Sequence, residues 1–410
     1  MNNGLGFGVF LAPHHPIGEH PMLQLERDLE LATLLDGLGY DEFWCGEHHS
    51  GGWETIASPE MFLAAAAQRT HRIMLGTGVV SVPYHHPFTV AQRIVMLDML
   101  SRGRAMLGVG PGALPSDAFM LGIDPMTQRD QMDEGLGVIL RLLNEREPIT
   151  VDGSWYRLRD AALHLHPLQK QMPIAVASMI SPAGMKAAGK YGVGVLSVAS
   201  YMQEGLTALK TQWSFAESSA KEHGKHVDRA NWRIVMPFHL ADSKEQAYRD
   251  VADGLKRWNN EYVVGILGRP DGKDFEDGYQ AAKFMDEFGG GIFGTPEDAI
   301  DKIGKLQALS GGFGTILSFA HDWAPREKMW RSYELIARYV MPRCQGLLDS
   351  IDASAARVTA KKQTLMAAAT GAIMKAISSD KNAAEAMANT VAGPFNIAPA
   401  QSVETARPGK

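Results

Sequence analysis

The sequence predicts an α/β fold, a closed (β/α)8 barrel of the TIM type with insertions. Three observations carry this expectation. Strand-like and helix-like segments alternate from the first residues onward. The strand-like runs are almost continuously apolar, as in a parallel sheet covered by helices. Eight such pairs fit within about 340 residues, a length that suits a closed barrel with insertions. The competing arrangement is an open doubly wound sheet, but GVGPGALPS spaces its glycines at 108, 110 and 112 and lacks the G-x-G-x-x-G pattern of a dinucleotide fingerprint.

Taken in order, LGFGVFLA reads as the first strand, and HPMLQLERDLELATLLDGLG as a helix stopped at Gly37 and Gly39. DEFWCGEH is the second strand, followed by SPEMFLAAAAQRTH with Ser58 as N-cap. RIMLGTGVVSV and PFTVAQRIVMLDMLS form the third pair, RAMLGVGPG and DPMTQRDQMDEGLGVILRLLN the fourth. PITVDGSWYRL then breaks the rhythm as a β-hairpin around Asp152-Gly153, within an insertion near 147–170. MPIAVASM with the helix near SPAGMKAAGKYG, and GVGVLSVA with a helix from about Met202 to Glu222, are the fifth and sixth pairs. RIVMPFHLAD is the seventh strand. A Gly- and Asp-rich insertion near 255–292 is expected to be irregular, TPEDAIDKIGKLQAL to be helical, GFGTILSFA to be the eighth strand, and PREKMWRSYELIARYVMPR the closing helix. The barrel domain is set at 1–345. Residues 346–410 form an Ala-rich extension with one helix-like stretch, TLMAAATGAIMKAI, and a disordered end.

Composition bounds the function. The chain has 410 residues, 45% hydrophobic and 21% charged, with a formal net charge of -6. No run of Lys and Arg interleaved with aromatics suggests nucleic acid. No stretch approaches the roughly 18 apolar residues of a membrane span, and the N-terminus lacks the pattern of a signal peptide. Two cysteines, Cys45 and Cys344, are no disulfide framework, so a cytoplasmic location is expected.

In such a barrel the chemistry collects at the C-terminal ends of the strands. There the sequence places His14 and His15, then Glu47, His48 and His49, then Ser81, Tyr84, His85 and His86, then Ser178 and Ser181, and finally His321, Asp322 and Trp323. Asp41, Arg72, Arg104 and Arg233 fall at the opposite ends and read as turn and solvent residues. No metal is expected. His14 and His15 are adjacent, where a metal barrel offers His-x-His on its first strand, and there is no H-E-x-x-H and no zinc-spaced cysteine pair. No G-x-S-x-G supports a nucleophile. Taken singly, each rim histidine is more often a satisfied polar group than a catalyst. His48 is the best placed to move protons near neutrality. Backbone N–H groups at the helix start after Ser181 suit a phosphate, with Arg129 as a charged neighbour. The bland alternatives are N-capping for Ser181 and a solvated helix face for Arg129.

These motifs coincide with a known pattern. GFGVFLAP, FWCGEHH, LGTGVVSVPYHHPFTVAQ, LDMLSRGRAMLGVGPG, LGIDPMTQRDQMDEGL, SPAG, GTPEDAIDKI and LIARYVMP, in this order over roughly residues 4–343, resemble the bacterial luciferase-like flavin-dependent monooxygenases. EHHSGGWETIASPE and SFAHDWA are similar to the limonene monooxygenase-type members. The resemblance implies a barrel that binds reduced FMN at its mouth, supplied by a separate NAD(P)H:flavin reductase. It implies reaction of that flavin with O2 to a C4a-hydroperoxide, and delivery of one oxygen atom to a small apolar substrate such as a terpene. His48 then matches the family's active-site histidine, with Glu47 orienting an imidazole or a loop. Gly78 and Val79 match the segment beneath the isoalloxazine, often joined there by a non-prolyl cis peptide. Ser178, Met179 and Ser181 match the phosphate loop, and Arg129 a phosphate-side arginine. His14, His49, His321 and Trp323 line the substrate. Luciferases carry an arginine where this chain has Pro111, so one phosphate contact is missing or replaced. A homodimer or homotetramer is expected. Two other readings stay open on the same barrel: a deazaflavin-dependent hydride-transfer oxidoreductase, and a non-catalytic flavin-binding barrel.

Overall fold

A computed structural model describes residues 4–268 and 272–388. Eight strands form the barrel: β1 Gly6–Leu11, β2 Glu42–Cys45, β3 Met74–Thr77, β4 Ala105–Gly110, β5 Ile174–Ser178, β6 Gly194–Ser197, β7 Trp232–Leu240 and β8 Thr315–Ala320. Each pairs in parallel with its sequence neighbours, and the β8–β1 and β7–β8 pairings close the ring. All eight expected strands are present, and the open-sheet alternative is excluded by the closure. Both faces of the strands are covered, so their side chains are nearly all buried. The seam between β3 and β4 is especially tight. Thr77 hydroxyl donates to Gly108 O at 2.9 Å and accepts from Gly108 N–H at 3.0 Å, and a Cβ on Gly108 would stand 2.1 Å from Thr77 O.

The N-terminal end of the barrel is sealed by charge as well as by apolar packing. Arg233, read from sequence as a solvent residue, is buried and forks onto Glu42, both N–O distances 2.7 Å, while Trp44 Nε1 donates to Glu42 at 2.8 Å. A planar guanidinium matches two carboxylate oxygens at once, which is how the pair tolerates burial. Arg104 is likewise a structural residue, donating to the carbonyls of Ala67, Thr70, Ser101 and Ile73. Sequence period reports apolar faces and is blind to a charge that finds its partner across the barrel.

The expected hairpin forms from Ile149–Asp152 and Arg157–Ala161. The 255–292 insertion is less irregular than expected. Helix Lys244–Arg257 runs on as a π-helical segment, Trp258–Val264, and a further helix spans Gly278–Phe288, capped by Asp277. Ahead of GRPDGKDFEDGY, in the same insertion, Trp258, Tyr262 and Val263 pack inward. The chain divides into two compact units, Met1–Leu347 and Leu348–Lys410. The described part of the second holds helices Asp349–Ala360, Lys362–Ser379 and Lys381–Ala388, the first two without a buried side chain. The expected disordered end lies outside the described residues.

Candidate active site

The C-terminal rim of the barrel carries two groups in which imidazoles meet carboxylates. The first is built on Glu47, two residues beyond β2. Its Oε1 accepts from Nε2 of His49 and of His85, both at 2.8 Å, and its Oε2 accepts from the Ser81 N–H at 3.0 Å. Burial opposes ionisation of Glu47, but these hydrogen bonds outweigh it and hold the carboxyl below its ordinary value. The bond to Glu47 raises His49 in turn. These three side chains are the grouping, among the described residues, with the spacing a metal ion would need. Both imidazoles instead sit at hydrogen-bond distance from the one oxygen.

The second group centres on His48. Nδ1 lies 3.2 Å from Asp117 Oδ2 and Nε2 lies 3.1 Å from Glu54 Oε1. A neutral imidazole donates once, so two carboxylates are both satisfied only by the imidazolium. Burial works against that charge, but Glu54 and Asp117 outweigh it and raise His48 above its ordinary range, while both carboxyls are lowered against their own burial by His48. Asp117 also accepts from the His49 N–H at 3.1 Å and from Ser50 Oγ. Glu54 is fixed by Tyr262 hydroxyl at 2.6 Å and by His14 Nε2 at 3.2 Å.

Around His14 the rings are dense. Its centroid lies 4.4 Å from Tyr262 and 5.6 Å from both Phe319 and His321, and His321 lies 4.7 Å from Trp323. Trp323 is fully buried and donates Nε1–H to Phe319 O at 2.8 Å, so it is a packed wall. His321 is buried with neither ring nitrogen hydrogen-bonded, and desolvation drives its basicity well below the ordinary value.

Six of the sequence-predicted residues are thereby brought together: Glu47, His48, His49, His14, His321 and Trp323. The others sit elsewhere. The Gly78–Val79 peptide is cis and follows β3 directly. Ser178 ends β5, buried, with its hydroxyl unpartnered. Met179 and Ser181 are exposed in the loop beyond, and the next helix, Ala183–Tyr191, takes Pro182 as N-cap with no side-chain capping bond. Ser181 is therefore not the cap. Arg129 is exposed near the start of helix Gln128–Asn144, and its side chain hydrogen-bonds no other described residue. Its neighbour Gln128 instead donates to Pro111 O at 2.9 Å and to Tyr84 hydroxyl at 3.1 Å. Sequence reasoning missed Glu54, Asp117 and Tyr262. Glu54 lay within the GGWETIASPE stretch, but only folding shows that two histidines point at it.

The luciferase-like monooxygenase profile matches residues 5–311. The chain belongs to the luciferase-like monooxygenase family. Among its luciferase-like relatives is 4-hydroxyprotoasukamycin monooxygenase of Streptomyces nodosus subsp. asukaensis, 48% identical over 89% of this chain and 99% of that protein. Limonene 1,2-monooxygenase of Rhodococcus erythropolis is 47% identical over 83% and 87%. An F420-dependent glucose-6-phosphate dehydrogenase of Beutenbergia cavernae is 33% identical over 78% and 94%. In structure the chain is similar to the oxygenating constituent of 3,6-diketocamphane monooxygenase of Pseudomonas putida, a type II Baeyer–Villiger enzyme solved with FMN. The TM-score is 0.71, with 27% identity over 83% of this chain and 99% of that one. As a member of this family with named monooxygenases as near relatives, the protein is an oxidoreductase. Among the described residues, no helix is long and apolar enough to cross a membrane.

Proposed function

We propose that this protein is a monooxygenase that takes reduced FMN from a separate NAD(P)H:flavin reductase and uses O2 to oxygenate a small apolar molecule of terpene-like character. The observation that carries the reading is His48 held between the Glu54 and Asp117 carboxylates on the barrel rim, at 3.1 and 3.2 Å. A positive charge held there by two carboxylates stabilises negative charge developing on oxygen as O2 is reduced.

The residues present fit a flavin mononucleotide. A buried hydroxyl with no partner, Ser178 Oγ, stands beside a helix start whose N–H groups no side chain caps, and such N–H groups suit a phosphate. Gly78 and Val79 offer backbone, with little side chain, to a flat ring. Arg129 is exposed and unpaired, available to a phosphate. When bound, reduced flavin would supply two electrons to O2. The protein's share is to bind, to exclude water and to manage protons. Glu47 holds His49 and His85 by their Nε2–H groups and so fixes which ring nitrogens face outward. The aromatic wall from His14 to Trp323 bounds the apolar side, where His321 stays neutral.

The close relation to two monooxygenases supports oxygen transfer over deazaflavin hydride transfer, and the dense polar rim argues against a non-catalytic barrel. Anaerobic titration decides the cofactor. The reading expects the protein to bind reduced FMN at least about tenfold more tightly than reduced F420, a difference of about 1.4 kcal/mol. Tighter binding of the deazaflavin would overturn it.

A further inference from the structure

Beside His14 lies a cavity of about 40 Å³ whose polar lining is His14, His321, Asp28, Arg27 and Asp322, with Leu11, Leu31 and Met329 among its apolar walls. A site of this size admits more than one water, provided polar partners are present. They are present. His14 Nδ1 and both ring nitrogens of His321 are buried without a hydrogen-bond partner. At the outer end Asp322 pairs with Arg27 at 2.7 Å and keeps about a third of its side chain exposed. At the inner end His14 Nε2 lies 3.2 Å from Glu54 Oε1, which lies 3.1 Å from His48 Nε2.

We propose that Glu54, His14 and the water-holding cavity behind it form a proton path joining His48 at the rim to Asp322 at the solvent. The path deepens the oxygenase reading and rests on it for its purpose. When one atom of O2 enters the product and the other leaves as water, that water takes up two protons. A reduced flavin delivered as its monoanion brings two electrons and one proton, so the second is drawn from solvent in each turnover. An imidazole passes it on by accepting at one nitrogen while releasing at the other. His14 accepts at the open Nδ1 and releases from Nε2 to Glu54, which hands it to His48 after His48 has given up a proton on its Asp117 side. Tyr262 holds Glu54 in line through its other oxygen. The inner aromatic packing keeps bulk water out of the remainder of the route.

Asp322 suits the outer station. Burial raises its carboxyl to about 6, against the pull of Arg27, with Asp28 and Glu19 adding to the rise and His15 opposing it. Tyr333 and Arg326 face the same cavity from the helix Arg326–Leu335.

Two measurements test the path, the first without flavin. A high-resolution crystal structure of the protein is expected to show ordered water in the cavity within hydrogen-bond distance of His14 Nδ1, continuing to Asp322. A dry cavity overturns the proposal. In turnover with a flavin reductase, Asp322→Asn is expected to lower the rate by about tenfold and raise the solvent deuterium isotope effect. Asp322→Glu or added imidazole should restore the rate, which a merely structural role would not allow. His14→Phe, which keeps the ring packing and removes both nitrogens, must show the same isotope signature. An Asp322→Asn enzyme with unchanged rate and isotope effect overturns the path. A hydrated cavity in a protein that oxygenates nothing would sink the oxygenase reading and leave the path standing.

Discussion

At the scale of single residues, His48 decides how the rim is charged. Both its nitrogens are held by carboxylates, so any proton it gives or takes passes through Glu54 or Asp117, or requires one of those bonds to open. His48→Gln keeps polar atoms near both partners and removes the charge. Product formed per O2 consumed is expected to drop about 100-fold, the balance appearing as hydrogen peroxide, while binding of reduced FMN changes by less than about threefold. Unchanged coupling would refute the role. The same residues set the pH range of stability. His48 is raised in the folded protein, so its contribution is full below its ordinary 6.5 and is lost as pH rises through the raised value. Glu54, Glu47 and Asp117 are lowered, so theirs is present above the ordinary 4.5 or 3.8 and is lost as pH falls through the lowered values. Thermal melts across pH should therefore give a plateau between the ordinary carboxylate and imidazole values, 4.5 and 6.5, falling on both sides. In His48→Gln the alkaline fall attributable to this residue should vanish. Ser178→Ala removes a hydroxyl that has no partner to lose, so stability should hold while FMN affinity falls about tenfold and riboflavin affinity does not. Equal losses for both ligands would remove Ser178 from the phosphate.

At the scale of elements, the eight strands were legible because each is a short apolar run bounded by helical spacing, a local signal. The rim was legible in part for the same reason. Once the strands are placed, Glu47, His48 and His49 must follow β2. The partners were not legible. Glu54 reaches His48 and His14 from a loop, Asp117 reaches it from the short helix Pro115–Met120, and Tyr262 comes from the π-helical segment. Each contact spans sequence distances that no period encodes. The Gly-Asp composition that predicted irregular chain at 255–292 likewise said nothing of Trp258 and Tyr262 packing on His14. The loop after β5 offers a test at this scale. A Cβ on Gly184 would stand 2.4 Å from Ala177 O and 2.9 Å from the Ser178 Cα, so Gly184→Ala must push the helix start away from β5. A stability loss of about 1–3 kcal/mol and weakened FMN binding are expected together, read by melting and titration. Full FMN affinity in a destabilised variant would separate the helix start from the phosphate.

At the scale of the whole molecule, the chain comprises two compact units. Met1–Leu347 is compact by itself, and helices Asp349–Ala360 and Lys362–Ser379 bury no side chain. We therefore expect a chain ending at Leu347 to melt within a few degrees of the full protein, a shift smaller than about 1 kcal/mol would give. A much lower melting temperature would make the extension part of the fold. The barrel's two ends carry different chemistry. The N-terminal end is closed by the Arg233–Glu42 pair, and the C-terminal end gathers histidines and carboxylates that hold charge and protons. The central claim is that this end delivers oxygen from O2 to carbon. It is tested most directly by running the protein with FMN, NADH and a generic flavin reductase under 18O2 against a panel of monoterpenes and cyclic ketones. The account predicts a product heavier by one 18O atom, formed only when protein, reduced FMN and O2 are all present. Oxygen consumption that ends wholly in hydrogen peroxide, or a product carrying oxygen from water, would contradict it.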